Sequence, residues 1–319
     1  MKMKNVLALV MASVMAFAMV GCGSAVSVDG ETKKTETETA AEGEAEAAAE
    51  ETGNGSIGLA VSTLNNPFFV TLSEGAEAKA EELGVDLIVV DAGDDAAKQT
   101  SNVEDLISKN ISVLIINPVD SDAAAPAVKD AIAAGIKVIS VDRVVNGVDV
   151  DCAIASDNVA GAEAATQYLL ELVGEGAKVA ELQGTTGASA TIDRGAGFHN
   201  VADESLDVVA SQTANFNRAD GMTVMENMLQ ANPDIVGVFA HNDEMALGAV
   251  EAIGDKDIVV IGFDATDDAV AAVGAGTMAA TVAQQPDLMG ATAVETAIAL
   301  MNGETVEKTL PVEVTLVTE

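Results

Sequence analysis

VLIINPVDSDA, residues 113–123, is a run of four branched apolar residues that stops at Asn117 and turns through Pro118 into an acidic stretch. Four such residues bounded by turn formers fit a strand buried on both faces, and the Pro, Asp and Ser that follow are turn and helix-start residues. The pattern recurs at 236–246, VGVFAHNDEMA, where the apolar run gives way to Asn242 and another acidic helix start. About one strand–helix unit later, VISVDR (138–143) ends in Asp142 and Arg143, and VVIGFDAT (259–266) carries Asp264. A unit that repeats in two halves predicts two similar α/β lobes rather than one continuous sheet.

Outward from these stretches, short β-branched runs alternate with Ala-rich helical patterns. The first set is SIGLAVS (56–62), VDLIVVD (85–91), SVLIIN (112–117), KVISVD (137–142) and VDCAIAS (150–156). The second is AKVAELQ (177–183), LDVVASQ (206–212), IVGVFA (235–240), DIVVIGF (257–263), MAATVAQ (278–284) and VEVTLV (312–317). Ten to sixteen residues of helical pattern separate most of them, which is the signature of parallel βαβ units.

The N-terminus has a different character. MKMKN leads into an apolar run over 6–20 that ends in Gly21, Cys22 and Gly23. It is too short and wrongly flanked for a membrane span and reads as an export signal over 1–21. A small residue directly before the cysteine resembles a bacterial lipobox, which implies lipidation at Cys22. Residues 22–55 are Glu, Ala, Thr and Gly with almost no branched apolar side chains after Val28. Such a segment has too little apolar surface to offset its ordering entropy, so a disordered acidic linker is expected. No later run reaches membrane-spanning length, leaving the lipid anchor as the membrane attachment. A formal charge of -36 argues against nucleic-acid binding, which needs a basic stripe that the sequence does not display. Cys152, inside VDCAIAS, reads as a small buried hydrophobe.

Ligands of open parallel sheets sit beyond the carboxyl ends of the strands. The residues expected there are Asn66, Asn117, Asp142, Arg143, Asn242, Asp264 and Gln284. Any one of them serves equally as a turn former or cap; the set, carried by both halves, needs a further reason. Only three of the fifteen basic residues are Arg. Two of these, Arg143 and Arg194, lie in or just after loops that follow strands, where a planar fork of donors suits neighbouring hydroxyls, or an ion pair with a nearby Asp. In STLNNPFFVTL (62–72), Asn66 can cap a helix whose first residue is Pro67. Phe68 and Phe69 then fall in its first turn, pointing about 100° apart, so that one ring faces the crevice and the other either joins it or enters the core. Phe216 offers a third ring from the second half. With 3% aromatic residues and no Trp in the chain, three rings beside Asn, Asp, Arg and Gln suit a sugar, apolar on its faces and hydroxyl-rich at its rim.

An enzyme reading finds little support: the chain has two histidines, His199 and His241, with no metal-ligand spacing, no nucleophile elbow and no Walker loop. Asp142 and Asp264 are a conceivable glycosidase pair, although their Arg and Asn neighbours fit hydroxyl recognition better. A sugar-responsive transcription regulator would need a basic helix-turn-helix before residue 56, where the acidic linker stands. No metal or cofactor is expected.

The stretches LAVSTLNNPFFVTL, LIINPVDSDA, VISVDR, AIASDN, GEGAKVAELQG, FAHNDEMALGA, VVIGFDAT and ATVAQQPD together resemble the ribose-binding proteins, which are solute-binding subunits of bacterial ABC importers, from about residue 57 to the C-terminus. The resemblance implies a type I periplasmic-binding-protein fold, with two Rossmann-like lobes joined by a three-crossing hinge. It assigns 56–156 plus 285–313 to the N-terminal lobe and 157–284 plus 314–319 to the C-terminal lobe. Residue by residue, it places the sugar contacts at Asn66, Phe68, Phe69, Asp142, Arg143, Arg194, Phe216, Asn242, Asp264 and Gln284, all of the type these proteins carry. His241 and Ala265 depart from the pattern, His241 standing where Gln is usual and expected to point away from the ligand. The implied ligand is D-ribose as a pyranose, with allose, another pentose or a furanosyl molecule left open. The implied partner is an ABC transporter permease, and the implied setting is a monomeric lipoprotein on the outer face of the cell membrane, by analogy of a Gram-positive host.

Overall fold

The computed structural model describes residues 55–318. The proposed signal segment, Cys22 and all but the last residue of the acidic linker lie outside them. Within them the chain runs β1 (Ile57–Val61), α1 (Pro67–Leu83), β2 (Leu87–Asp91), α2 (Ala96–Ser108), β3 (Val113–Ile116), α3 (Ala125–Ala133), β4 (Lys137–Val141) and β5 (Cys152–Ser156). A second series follows: α4 (Asn158–Val173), β6 (Lys178–Gln183), α5 (Ser189–Ser205), β7 (Asp207–Thr213), α6 (Arg218–Ala231), β8 (Gly237–Ala240), α7 (Asp243–Ile253), β9 (Val259–Asp264), α8 (Asp267–Gly274) and β10 (Ala280–Ala283). The chain ends in α9 (Pro286–Met301), β11 (Thr309–Val312) and β12 (Thr315–Val317).

These strands build two six-stranded sheets, ordered β11-β5-β4-β3-β1-β2 and β12-β10-β9-β8-β6-β7. Counting from the first strand of each, both follow the order 2-1-3-4-5 of doubly wound folds. The repeat seen in the sequence is therefore a topological one: β3 corresponds to β8 and β4 to β9. All pairings are parallel except β10 with β12.

The apolar runs are continuous because helices cover both faces of each sheet. Along β3, Val113 and Ile115 pack with Phe69, Leu72 and Val294 of α1 and α9, while Leu114 and Ile116 pack with Val103, Leu106 and Val128 of α2 and α3. In the second sheet Val179, Phe239 and Ile261 meet Leu169 of α4 and Phe198 of α5, whereas Ala180, Val238 and Val260 face Met225 of α6 and Met245 of α7. The strand period of two assigns alternate residues to opposite layers. Cys152 is buried in the first of these cores, as its apolar setting implied.

One element departs from the sequence reading. Residues 312–317, expected as one strand, divide: β11 closes the edge of the first sheet and β12 pairs with the second. Pro311 hid β11, because proline lacks the N–H of a ladder and occupies only edge strands or strand ends. The chain passes between the sheets after Ser156, after Ala283 and after Val312. The last two passages are tied by the Gln285 side chain, which donates to the Glu313 carbonyl at 3.2 Å.

Candidate ligand-binding site

The carboxyl ends of both sheets face one cavity, lined by all ten residues at which the resemblance places sugar contacts, together with Ala190. Phe68 and Phe69 come from the first turn of α1. Asn66 sits at its N-cap with extended backbone and its Oδ1 accepts from the Phe68 amide at 3.0 Å, while Pro67 opens the helix. Both rings reach the cavity, edge to face at 5.1 Å and 89°, and both remain attached to the core of the first lobe.

Asp142 follows β4, and Asp264 ends the corresponding β9. Both have left-handed backbone, φ 63° and 126°, which non-glycine residues adopt at a cost. Equivalent bends thus aim one carboxylate from each lobe into the cavity. Asp142 Oδ2 accepts from Asn117 Nδ2 at 3.1 Å and lies 3.6 Å from Arg143. Asp264 Oδ1 accepts from Gln284 Nε2 at 2.7 Å and lies 3.6 Å from Arg194. Burial raises the pKa of both carboxylates, opposed chiefly by Arg143 for Asp142 and by Arg194 for Asp264. Burial likewise lowers both guanidinium values, against the pull of the same carboxylates. Burial thus disfavours the charged form of all four groups, and hydrogen bonds to them offset that cost.

The arginines are held from behind. Arg143 Nη1 donates to the Pro118 carbonyl at 3.0 Å, and Arg194 donates from Nε to Asn158 at 2.8 Å and from Nη1 to the His241 carbonyl. Their flat faces meet aromatic rings: Arg143 lies 5.1 Å from Phe69 and 5.3 Å from Phe216, and Arg194 lies 3.8 Å from Phe263. Phe216 itself has φ 55°, directly after Asn215 at 56°.

Three polar atoms of this lining are buried without a hydrogen-bond partner: Arg143 Nε, Asn242 Nδ2 and Gln284 Oε1. Buried polar groups are ordinarily paired, so two donors and one acceptor of the lining stand out as unused. Asn117 and Asn242 follow equivalent strands, yet only Asn242 has a free amide. Asn117 is fully committed, accepting from Ser62 N and donating to the Val141 carbonyl and to Asp142. Its strand-end position was legible; its supporting role was not. Asn158, which orients Arg194, and Ala190 had no distinguishing signal in the sequence. His241 lies outside the lining, as expected, bonded to Glu181 at 2.8 Å.

The lobes also touch directly beside the cavity. Ser121 N donates to the Gly187 carbonyl at 3.0 Å, Ser189 N to Ser121 Oγ at 3.2 Å, and Val144 N to Ser189 Oγ at 3.1 Å. Among the described residues no group of carboxylates, histidines and cysteines could hold a metal ion, and no helix is long and apolar enough to cross a membrane.

The periplasmic binding protein domain model matches residues 57–305. The chain is 53% identical over 266 residues to the ribose import binding protein of Bacillus subtilis (strain 168), spanning 83% of this chain and 87% of that one. It is 50% identical over 266 residues to the ribose import binding protein of Escherichia coli (strain K12), spanning 82% and 90%. Among solved structures, the Caulobacter myo-inositol binding protein bound to myo-inositol superposes with a TM-score of 0.80 at 33% identity, covering 83% of this chain and 94% of that one.

Proposed function

The chain belongs to the family of periplasmic binding proteins, and from that premise we propose that it captures D-ribose between its two lobes and delivers it to an ABC transporter permease. The observation that carries this reading is the cavity lining: three aromatic rings for the apolar faces of a pyranose, and Asp142, Arg143, Arg194, Asn242, Asp264 and Gln284 for its hydroxyls. The three unpartnered polar atoms mark where hydroxyls bind. Contacts drawn from both lobes are complete only when the lobes are closed, so binding shifts the population toward the closed form that the permease receives. The two relatives near 50% identity, both named for ribose import, support this choice of sugar.

A second reading keeps the mechanism and changes the sugar, to allose, another pentose or a furanosyl molecule; the structural likeness to a myo-inositol binder favours keeping it in view. A thermal-shift panel of monosaccharides on the purified protein separates the two. Largest stabilisation by ribose supports the first reading, and by another sugar the second. No catalytic residue is assigned: every charged group of the lining serves recognition in this scheme.

At the N-terminus, the lipobox-like Gly21–Cys22 pair and the acidic stretch over 22–55 support an exported monomer tethered by lipid at Cys22 to the outer face of the cell membrane. The stretch would hold the binding body clear of the surface, in an arrangement suited to a Gram-positive envelope. Cys22→Ala should release the protein from the membrane fraction into the medium; unchanged retention would refute the anchor.

A further inference from the structure

Behind the cavity wall of the second lobe lies a buried acid–imidazole pair that the sugar contacts do not use. Glu181 on β6 and His241 just after β8 are both fully buried, and His241 Nε2 stands 2.8 Å from Glu181 Oε1. The other ring nitrogen, Nδ1, receives the backbone N–H of Gly184 at 3.5 Å. An N–H facing Nδ1 and a carboxylate facing Nε2 fit a neutral imidazole that carries its proton on Nε2.

This pair touches the site through two routes. The His241 carbonyl accepts from Arg194 Nη1. Gly184 lies directly under the Phe216 ring: a Cβ on Gly184 would stand 2.0 Å from the ring's Cζ. The Gly184 carbonyl is fixed by Thr213 Oγ1 at 2.7 Å. Phe216, in a left-handed conformation that a bulky residue adopts only when its surroundings enforce it, thus rests on a glycine that is pinned partly by His241.

We propose that Glu181 and His241 are positioning residues of the sugar site, the neutral imidazole holding Gly184 beneath Phe216 and presenting its own carbonyl to Arg194. The inference rests on the sugar-binding reading of the cavity. Protonating Nδ1 would set two N–H groups against each other, free Gly184 and disturb both contacts. The charged groups facing the ring are Glu181 from β6 and, from α5, Arg194 and His199, with Asp203 bonded behind His199 at 2.7 Å. Burial lowers the His241 pKa below the ordinary imidazole value; Glu181 opposes this, and Arg194 and His199 reinforce it. Burial pushes Glu181 up, but its bonds from His241 and Ser211 outweigh that and hold it below the usual carboxylate range. The working state, neutral imidazole beside carboxylate, is therefore kept at neutral pH and lost as pH falls through the His241 pKa. Sugar affinity is flat above that pH and declines below it, approaching about tenfold per pH unit.

His241→Gln supplies an amide donor for Glu181 and an oxygen for Gly184 but does not titrate. Calorimetric titrations of wild type and His241→Gln from pH 7.5 downward to the acid limit of the fold, with the sugar that stabilises wild type most, should agree at pH 7.5 and diverge in acid, where only wild type weakens. Parallel profiles would overturn the proposal. ¹⁵N-imidazole NMR of the sugar-free protein, with His199→Gln to assign the two histidines, should find the neutral Nε2–H tautomer at pH 7; a charged ring or the Nδ1–H tautomer at that pH would overturn it too. Absence of binding by any sugar at pH 7.5 counts against the sugar reading on which the proposal rests, whereas a wrong tautomer overturns the His241–Gly184 arrangement itself.

Discussion

Asp264 and Asp267 stand three residues apart and should behave as opposites. Asp264 is buried in the cavity between Arg194 and Gln284, whereas Asp267 opens α8 on the exposed surface. Asp264→Asn keeps the size and turns one acceptor into a donor, leaving Arg194 or a sugar hydroxyl mismatched. The expected loss is roughly 2 to 4 kcal/mol, or about 30-fold to 1000-fold in affinity. Asp267→Asn removes only a helix-dipole interaction of about 0.3 to 1 kcal/mol in stability and should leave affinity nearly unchanged. Equal affinities of the two variants in calorimetry would mean that Asp264 is merely a turn residue. Six of the cavity residues were legible as polar residues at strand ends, a pattern that also picked the supporting Asn117, whereas the full set of ten came from the resemblance. Other supports were not legible: Asn158 and Glu181 act through contacts 36 and 60 residues away in sequence, which no local pattern encodes.

At the scale of elements, two joints are open to test. The N-terminus of α1 combines a cap with a wall of the site, so Asn66→Ala should cost about 1 kcal/mol of stability and weaken sugar binding as well; denaturant melts paired with titrations measure both, and a loss of one without the other would separate cap from contact. The hydrogen bonds among Ser121, Gly187, Ser189 and Val144 join the lobes without touching the lining. At roughly 0.5–1.5 kcal/mol net for the hydroxyl bond it removes, Ser189→Ala should weaken affinity by about two- to tenfold. The change should appear in the dissociation rate of stopped-flow traces; an unaltered rate would show that these bonds do not hold the closed form. The strands themselves were readable in the sequence, since burial on both faces leaves unbroken apolar runs. The division of residues 312–317 was not, because pattern alone does not say which sheet receives an edge strand, and Pro311 masked its partner.

For the whole molecule, the order of strands in each sheet and the three passages between them make two lobes joined through a narrow set of crossings, the joint about which the proposed closure would occur. Small-angle scattering should record a smaller radius of gyration with saturating sugar than without, and identical values would contradict closure. Burial raises the pKa of both Asp142 and Asp264, so a ligand that hydrogen-bonds to them would favour the closed arrangement. The identity of the sugar decides what the protein imports. Isothermal titration of the purified protein with D-ribose tests it most directly: the account predicts saturable heat with a dissociation constant in the micromolar range or tighter, on the order of -8 kcal/mol or more favourable, and no heat with ribose beside a clear signal with a hexose would contradict it.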